Sequence, residues 1–194
     1  MSTNKIVPQS EWFAAHKEHL KREKELTRFR DRIAAERRAL PWLKIRKDYV
    51  FETERGPEHL ADLFKGRSQL IVYHFMFGPG ADHRCEGCSL LADHIEGAVQ
   101  HLRHNDVSLV VASRAPLAEL LPYKRRMGWK FDWVSSYASD FNFDMQVSFT
   151  DRQIAEGETV YNFEKKPLTA RDLPGASVFL KDEQGNILDR KSVV

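Results

Sequence analysis

The sequence predicts an α/β fold in which a central mixed β-sheet is flanked by helices and preceded by an N-terminal helical extension. Two apolar runs, residues 70–77 and 107–112, are typical of strands buried on both faces. The helical pattern between them gives a β-loop-α-β unit of the length expected for a right-handed parallel crossover. A hairpin pattern over residues 173–188 adds antiparallel strands. We therefore expect a helical arm over residues 1–47 and an α/β domain over residues 48–194.

The composition limits the function classes. The chain has 194 residues and a formal net charge of +2, which predicts no binding to nucleic acid or to an acidic membrane surface. No apolar run approaches the ~20 residues that span a bilayer, and the charged N-terminal residues do not resemble a signal peptide. Two cysteines are no disulfide framework, so we expect a cytoplasmic protein without a cofactor.

The arm has the pattern of one long helix. Ser10 can cap a helix that begins at Glu11, and Pro41 should end it. A thin apolar stripe follows helical spacing at Trp12, Phe13, Leu20, Leu26, Phe29 and Ile33. Because acidic residues are interleaved with the Lys and Arg residues, we interpret the charged surface as a solvated face. The stripe must pack on the domain or on a partner chain.

The domain begins with a short strand over residues 48–53, a turn at Gly56-Pro57 and one helical turn. His74 interrupts the buried strand 70–77, and we interpret it as a core histidine with a hydrogen-bond partner. The later predictions are a helix over 91–102, a strand over 107–112, a helix from Pro116 to Gly128, a strand over 129–133, a helical turn over 140–144, an irregular connection over 150–170 and a hairpin turn at 182–185. Pro122 should kink the second of these helices.

The two cysteines form a single C-x-x-C between a strand and a helix. A helix N-terminus carries positive partial charge and free N–H groups, so it stabilises a thiolate, which attacks disulfides and peroxides. Cys85 should be the more exposed nucleophile with the lower pKa, and Cys88 should resolve the mixed disulfide. The charges of His83 and Arg84 favour the thiolate, and Glu86 opposes it.

Two other interpretations stay open. Cys85 and Cys88 could bind a metal together with His83 or His94, although structural zinc prefers four ligands and the chain has no second C-x-x-C. Alternatively, the chain could be a non-catalytic binding module that uses the aromatic patch between residues 129 and 143 for a ligand or partner. Metal content and disulfide turnover distinguish these interpretations.

The order of strand, C-x-x-C, helix, strand and a proline before a hairpin resembles the thioredoxin superfamily. More narrowly, the chain resembles the DUF899 family, whose members are described as predicted dithiol-disulfide oxidoreductases of thioredoxin-like fold. The resemblance rests on the blocks LPW (40–42), KDYVF (47–51), YHFMF (73–77), VASRAPL (111–117), YKRRMGW (123–129), WVSSY (133–137) and SDFNFD (139–144). It implies a thioredoxin-like domain and a thiol-disulfide oxidoreductase. It also implies that Pro174 is a cis-proline that holds a substrate's extended backbone beside the sulfurs.

The sequence departs from these families at several positions. Glu86-Gly87 replaces the Gly-Pro of thioredoxin, and Asp82 stands where the peroxidatic signature has a threonine three residues before Cys85. Family members usually continue past residue 194 into a helix that covers the sheet. We therefore expect the N-terminal helix or a second subunit, in a homodimer, to cover that face. The expected partner is a protein or small-molecule disulfide or thiol.

Overall fold

The computed structural model describes residues 4–82 and 84–193, which divide into two compact units within Met1–Pro41 and Trp42–Val194. The first unit contains helix α1 (Gln9–Arg38), none of whose residues is buried. Its N-cap is Pro8, so the prediction that Ser10 caps the helix is wrong, whereas its end before Pro41 is as predicted. The apolar stripe of α1, from Trp12 to Ile33, is exposed to solvent.

The second unit is built on a mixed sheet of eight strands among the residues described. These are β1 (Leu43–Lys44), β2 (Val50–Thr53), β3 (Gly56–His59), β4 (Gln69–His74), β5 (Val107–Ser113), β6 (Asp132–Ser135), β9 (Gly175–Lys181) and β10 (Ile187–Val193). Strands β7 (Val160–Tyr161) and β8 (Glu164–Lys165) form a separate hairpin. The spatial order is β1-β10-β9-β4-β5-β6-β2-β3. Only the β4–β5 and β5–β6 pairs are parallel in this part of the chain, which confirms the predicted mixed sheet. Strand β1, near the start of this unit, pairs with β10.

The helices of this unit are α2 (Glu86–Glu96), α3 (Val99–His104), α4 (Leu117–Met127), α5 (Phe141–Asp144) and α6 (Asp151–Ala155), with a 3₁₀ turn at Asp62–Phe64. One helix was expected where α2 and α3 lie. Instead, α2 ends at the cap residue Gly97 and α3 begins at Val99. Gly128 ends α4 with a φ of 75°, as predicted, and α4 continues through Pro122. No helix in the described part of the chain is long and apolar enough to cross a bilayer.

Two short segments differ from their predictions. The expected turn at Gly56-Pro57 lies two residues earlier, at residues 54–55, because Gly56 opens strand β3. The connection over residues 150–170, expected to be irregular, contains α6 and the β7–β8 hairpin. Thr150 and Gln153 form a capping box at the start of α6, a T-x-x-Q signal that the sequence reading missed.

The side chains of β4 alternate between two core layers on opposite faces of the sheet. Tyr73 belongs to the layer that contains Cys88 of α2 and Leu120 of α4. His74 lies on the other face, where its ring stacks on Phe141 with centroids 5.5 Å apart. Its Nε2 is 2.9 Å from the Ser177 hydroxyl, which confirms a core histidine with a hydrogen-bond partner.

Candidate active site

The cysteine pair lies at the sheet edge where the parallel strands end. The loop that carries it follows β4, and the loop with Arg114 follows β5. Pro174 directly precedes β9, whose first residue Gly175 pairs with His74 at the end of β4. In α/β sheets the carboxyl ends of parallel strands form the usual crevice for ligands. The topology therefore brings all three segments to one edge.

The loop from Gly78 to Cys85 is fixed at several points. The carbonyl of Phe77 accepts a hydrogen bond from the Ala115 N–H at 2.8 Å. The N–H of Gly80, whose φ is 66°, donates to the Glu119 carboxylate at 2.9 Å. These two bonds connect the loop to the start of α4, so the loop has a defined path into α2.

Cys85 and Cys88 are joined in a disulfide with their Cα atoms 5.2 Å apart. Cys85 is the N-cap of α2, and its sulfur accepts a hydrogen bond from the Cys88 N–H at 3.0 Å. The predicted C-x-x-C at the helix N-terminus is therefore present. Cys85 is partly exposed, whereas Cys88 is only 2% exposed. An incoming reactant can reach the first sulfur much more readily than the second.

Tyr123 and Ser89 support the start of α2, and neither was singled out from the sequence. The N–H and the hydroxyl of Ser89 both lie 2.9 Å from the carbonyl of Cys85. The Tyr123 hydroxyl is 2.9 Å from the Ser89 hydroxyl, although the two residues are 34 positions apart. Tyr123 is in turn packed edge-on against Trp129. This chain of contacts fixes the main chain of Cys85 relative to α4.

Arg84 directly precedes Cys85 in the chain and brings a cation to this loop. Its guanidinium lies 3.9 Å from the ring centroid of Phe77 and 5.8 Å from that of Tyr123. The same group donates a hydrogen bond to the carbonyl of Ala81. A guanidinium held in this way by two rings favours a nearby thiolate. His83, the other predicted cation, lies outside the described residues.

The metal interpretation that uses His94 does not fit the geometry. Nδ1 of His94 is 2.6 Å from the Leu90 carbonyl, a contact within α2. His94 is also six residues beyond Cys88, which is about 9 Å along a helix axis, whereas zinc ligands lie about 2 Å from the ion. No three His, Cys, Asp or Glu residues in the described part of the chain are placed to hold a metal. The alternative with His83 lies outside the described residues.

Pro174 differs from its expected conformation. The Leu173–Pro174 peptide bond is trans, as are the other peptide bonds described, so the expected cis-proline is wrong. The Leu173 N–H donates to the Val147 carbonyl at 2.8 Å, and the Tyr161 hydroxyl donates to the Pro174 carbonyl at 2.9 Å. The Leu173 N–H and the Pro174 carbonyl, which could otherwise hydrogen-bond a substrate backbone, are thus bonded within the chain. Substrate binding by Pro174 stays a prediction.

An ion pair missed in the sequence lies against the same loop. Arg114 and Asp172 make two contacts, 2.8 Å from Nε to Oδ1 and 3.1 Å from Nη2 to Oδ2. Ser148 adds a 2.7 Å hydrogen bond to Asp172. A Cβ atom on Gly78 would lie only 2.5 Å from Asp172 Oδ2, so only glycine fits without a shift. Gly78 itself was the one sequence signal that Asp172 lies so close to the loop.

The comparisons with known proteins agree with this fold. A family model described as "Bacterial protein of unknown function (DUF899)" matches residues 1–191. No curated protein matches the chain.

Among solved structures, the chain is similar to a candidate thiol:disulfide interchange protein DsbE from Chlorobium tepidum. The TM-score is 0.50 at 10% identity, with 80% of this chain and 86% of that chain covered. Peroxidoxin BcpB from Mycobacterium tuberculosis is similar with a TM-score of 0.48 at 16% identity, covering 74% of this chain and 79% of that chain. A PrxQ mutant from Xylella fastidiosa has a TM-score of 0.49 at 13% identity, covering 75% and 80%. At such low identity only the fold is shared, and it is thioredoxin-like.

Proposed function

The chain belongs to the DUF899 family, and we propose that it is a thiol-disulfide oxidoreductase whose working group is the Cys85–Cys88 pair. One observation carries the proposal. The two sulfurs are close enough to bond, with the partly exposed one at the N-terminus of α2 and the buried one a turn inside. This is the arrangement in which one sulfur attacks and the other completes the exchange.

In the reducing direction, the Cys85 thiolate attacks one sulfur of a substrate disulfide. A bond forms between the two sulfurs, the substrate disulfide breaks, and its leaving thiolate takes up a proton. Cys88 then loses its proton and attacks Cys85, which releases the second substrate thiol and leaves the internal disulfide. Two electrons pass from the protein to the substrate, and an external dithiol restores them. The opposite direction uses the same steps in reverse.

The residues around Cys85 support these steps. The N-terminus of α2, with the Cys88 N–H 3.0 Å from the Cys85 sulfur, stabilises negative charge on that sulfur. Arg84, which precedes Cys85 in the chain and packs on Phe77, adds a positive charge to the same loop. The buried position of Cys88 protects the resolving sulfur from reagents until it meets Cys85.

The setting and partners are part of the proposal. We place the protein in the cytoplasm, where a reducing thiol pool favours the dithiol as the resting form. The substrate is a protein or small-molecule disulfide, and Pro174 lies at the edge that the substrate would approach. The homodimer expected from the sequence also stays a prediction.

The test is turnover by the full chain with dithiothreitol as electron donor and either insulin or oxidised glutathione as the disulfide. We expect wild-type turnover, near-complete loss in Cys85→Ser, and a trapped mixed disulfide in Cys88→Ser. A redox titration should show one two-electron couple. Wild-type turnover no faster than the double serine variant would overturn the proposal and favour a non-catalytic module. Stoichiometric zinc in protein purified without chelator would favour the metal interpretation instead.

A further inference from the structure

The proline segment, residues 171–174, leads into β9 and already has a strand partner. An antiparallel bridge joins it to residues 147–149, the partner segment. The Leu173 N–H donates to the Val147 carbonyl at 2.8 Å, and the Phe149 N–H donates to the proline segment at 2.9 Å. An extended peptide binds a protein by adding a strand, through main-chain hydrogen bonds to an open edge. On this side of the proline segment the place of such a strand is taken.

The partner segment is firmly held where it lies. Val147 is 2% exposed and Phe149 is 3% exposed, so both side chains belong to the interior. The Ser148 hydroxyl donates to the Asp172 carboxylate at 2.7 Å, and Arg114 holds the same carboxylate through two contacts. A substrate strand in this place would have to expose two large apolar side chains and break the bond to Ser148. Both changes oppose such an exchange.

Pro174 has little main-chain hydrogen-bonding capacity to offer a substrate. Its nitrogen carries no hydrogen, and its carbonyl accepts a hydrogen bond from the Tyr161 hydroxyl at 2.9 Å. Tyr161 lies on β7 and is itself only partly exposed, with the Lys166 ammonium 5.0 Å from its ring centroid. Pro174 is also partly exposed, so apolar contact with its ring is what it can offer.

The main-chain carbonyls of the cysteine loop are in use as well. The Phe77 carbonyl accepts from the Ala115 N–H at 2.8 Å, and the Gly78 carbonyl accepts from the Ala81 N–H at 3.3 Å. The carbonyl of Ala81 in turn accepts from the Arg84 guanidinium. A substrate backbone would therefore meet carbonyls on this side that already accept hydrogen bonds.

Building on the proposed oxidoreductase function, we propose that the substrate of the Cys85–Cys88 pair is a low-molecular-weight disulfide and not a disulfide within an extended protein segment. Exchange requires only that one substrate sulfur reach the partly exposed sulfur of Cys85. An extended segment requires in addition an open main-chain edge. The bonds of Leu173 and Pro174 occupy the edge beside the cysteines.

Oxidised glutathione illustrates the reaction. The Cys85 thiolate forms a bond to one glutathione sulfur while the glutathione disulfide bond breaks, and the departing thiolate takes up a proton. Cys88 then gives up its proton and displaces the second glutathione from Cys85, which closes the internal disulfide. Two electrons pass from the cysteine pair to oxidised glutathione, and dithiothreitol restores them. Neither step needs a hydrogen bond to the main chain of the substrate.

The test compares three disulfides that share one glutathione leaving group. These are oxidised glutathione, a mixed disulfide of glutathione with an extended peptide, and the same peptide with N-methyl groups on the residues that flank its cysteine. The full chain is reduced, freed of dithiothreitol and mixed with each disulfide in a single turnover, and glutathione release is followed. Each rate is divided by the rate of the same disulfide with dithiothreitol, which removes differences in intrinsic reactivity.

We expect the peptide to react no faster than oxidised glutathione, and N-methylation to leave its rate unchanged. A peptide that reacts faster by more than about threefold, or that loses this much rate on N-methylation, would overturn the proposal, because main-chain recognition would then contribute. If none of the disulfides reacts faster than with the Cys85→Ser/Cys88→Ser protein, the proposed function fails and the substrate class fails with it.

A second measurement needs no rate comparison. The peptide is trapped on Cys85 in the Cys88→Ser protein, and hydrogen exchange of the peptide amides is followed. We expect these amides to exchange as in the free peptide. Slowing by about tenfold or more at the residues that flank the peptide cysteine would show pairing with the protein main chain and overturn the proposal.

Discussion

The Cys88 N–H donates a hydrogen bond to the sulfur of Cys85 at 3.0 Å. Cys85 therefore caps its own helix with sulfur, where serine or aspartate would use oxygen. In the reduced protein the same N–H and the helix N-terminus face a group that can become negatively charged. The two cysteines, identical in the sequence, thus differ in both exposure and electrostatic environment.

We expect Cys85 to be alkylated faster than Cys88 in the reduced protein near neutral pH. Cys85 is partly exposed at the helix N-terminus, and Cys88 is 2% exposed, so the rates should differ by more than about tenfold. Iodoacetamide labelling followed by peptide mass spectrometry measures both rates in one sample. Equal and slow labelling of the two cysteines would contradict an activated thiol.

Replacing Arg84 by methionine should raise the pKa of the Cys85 thiol, because the cation of the residue that precedes Cys85 is lost. Arg84→Lys keeps the charge and should recover part of the shift. The pKa is measured by thiolate absorbance against pH in the Cys88→Ser background, where only one thiol titrates. An unchanged pKa in Arg84→Met would show that the guanidinium only packs on Phe77.

Gly78→Ala should destabilise the protein by about 1–3 kcal/mol and slow disulfide turnover. The new Cβ would lie 2.5 Å from Asp172 Oδ2, and Asp172 is already held by Arg114 and Ser148. Urea unfolding measures the change. The matched control is Gly87→Ala in α2, where a Cβ meets no atom within 4 Å. Gly87→Ala should leave the free energy of unfolding unchanged or raise it slightly. Equal decreases in Gly78→Ala and Gly87→Ala would contradict the close contact between Gly78 and Asp172.

Stability should fall as the pH drops from about 6.5 towards 4, through His74. Burial lowers the pKa of His74 in the folded protein to about 4, and the nearby Asn142 opposes this only in part. Between the two pKa values the unfolded chain binds a proton that the folded chain does not, so acid favours unfolding. The full effect is at most about 3 kcal/mol, and it is complete below the folded pKa.

Urea unfolding between pH 4 and 7 tests the His74 prediction, and His74→Gln should have a flatter pH dependence than the wild type. His59→Gln provides a control of opposite sign. Asp48, 2.9 Å away, raises the pKa of His59, so charging His59 stabilises the folded state at low pH. The His59→Gln variant should therefore lose stability more steeply than the wild type as the pH falls. A wild type and a His74→Gln variant with parallel curves would contradict the prediction.

The parts predicted best from the sequence were those coded by local pattern. The apolar runs predicted β4 and β5, and Gly128 predicted the end of α4. The C-x-x-C before a helical pattern predicted that Cys85 lies at a helix N-terminus. Errors arose where a local signal had two meanings. Gly56-Pro57 is typical of a turn but opens β3, and a thioredoxin-like order implied a cis bond that Pro174 does not have.

The sequence by itself determined the α/β class and the pairing of two cysteines at a helix start, because hydrophobic period, helix capping and C-x-x-C spacing act within about ten residues. Only the tertiary structure decided which groups surround that pair. Tyr123 reaches Ser89 across 34 positions, and Arg114 reaches Asp172 across 58. Such contacts depend on how the elements pack, and a one-dimensional pattern carries no information about distances between residues that are far apart in the chain.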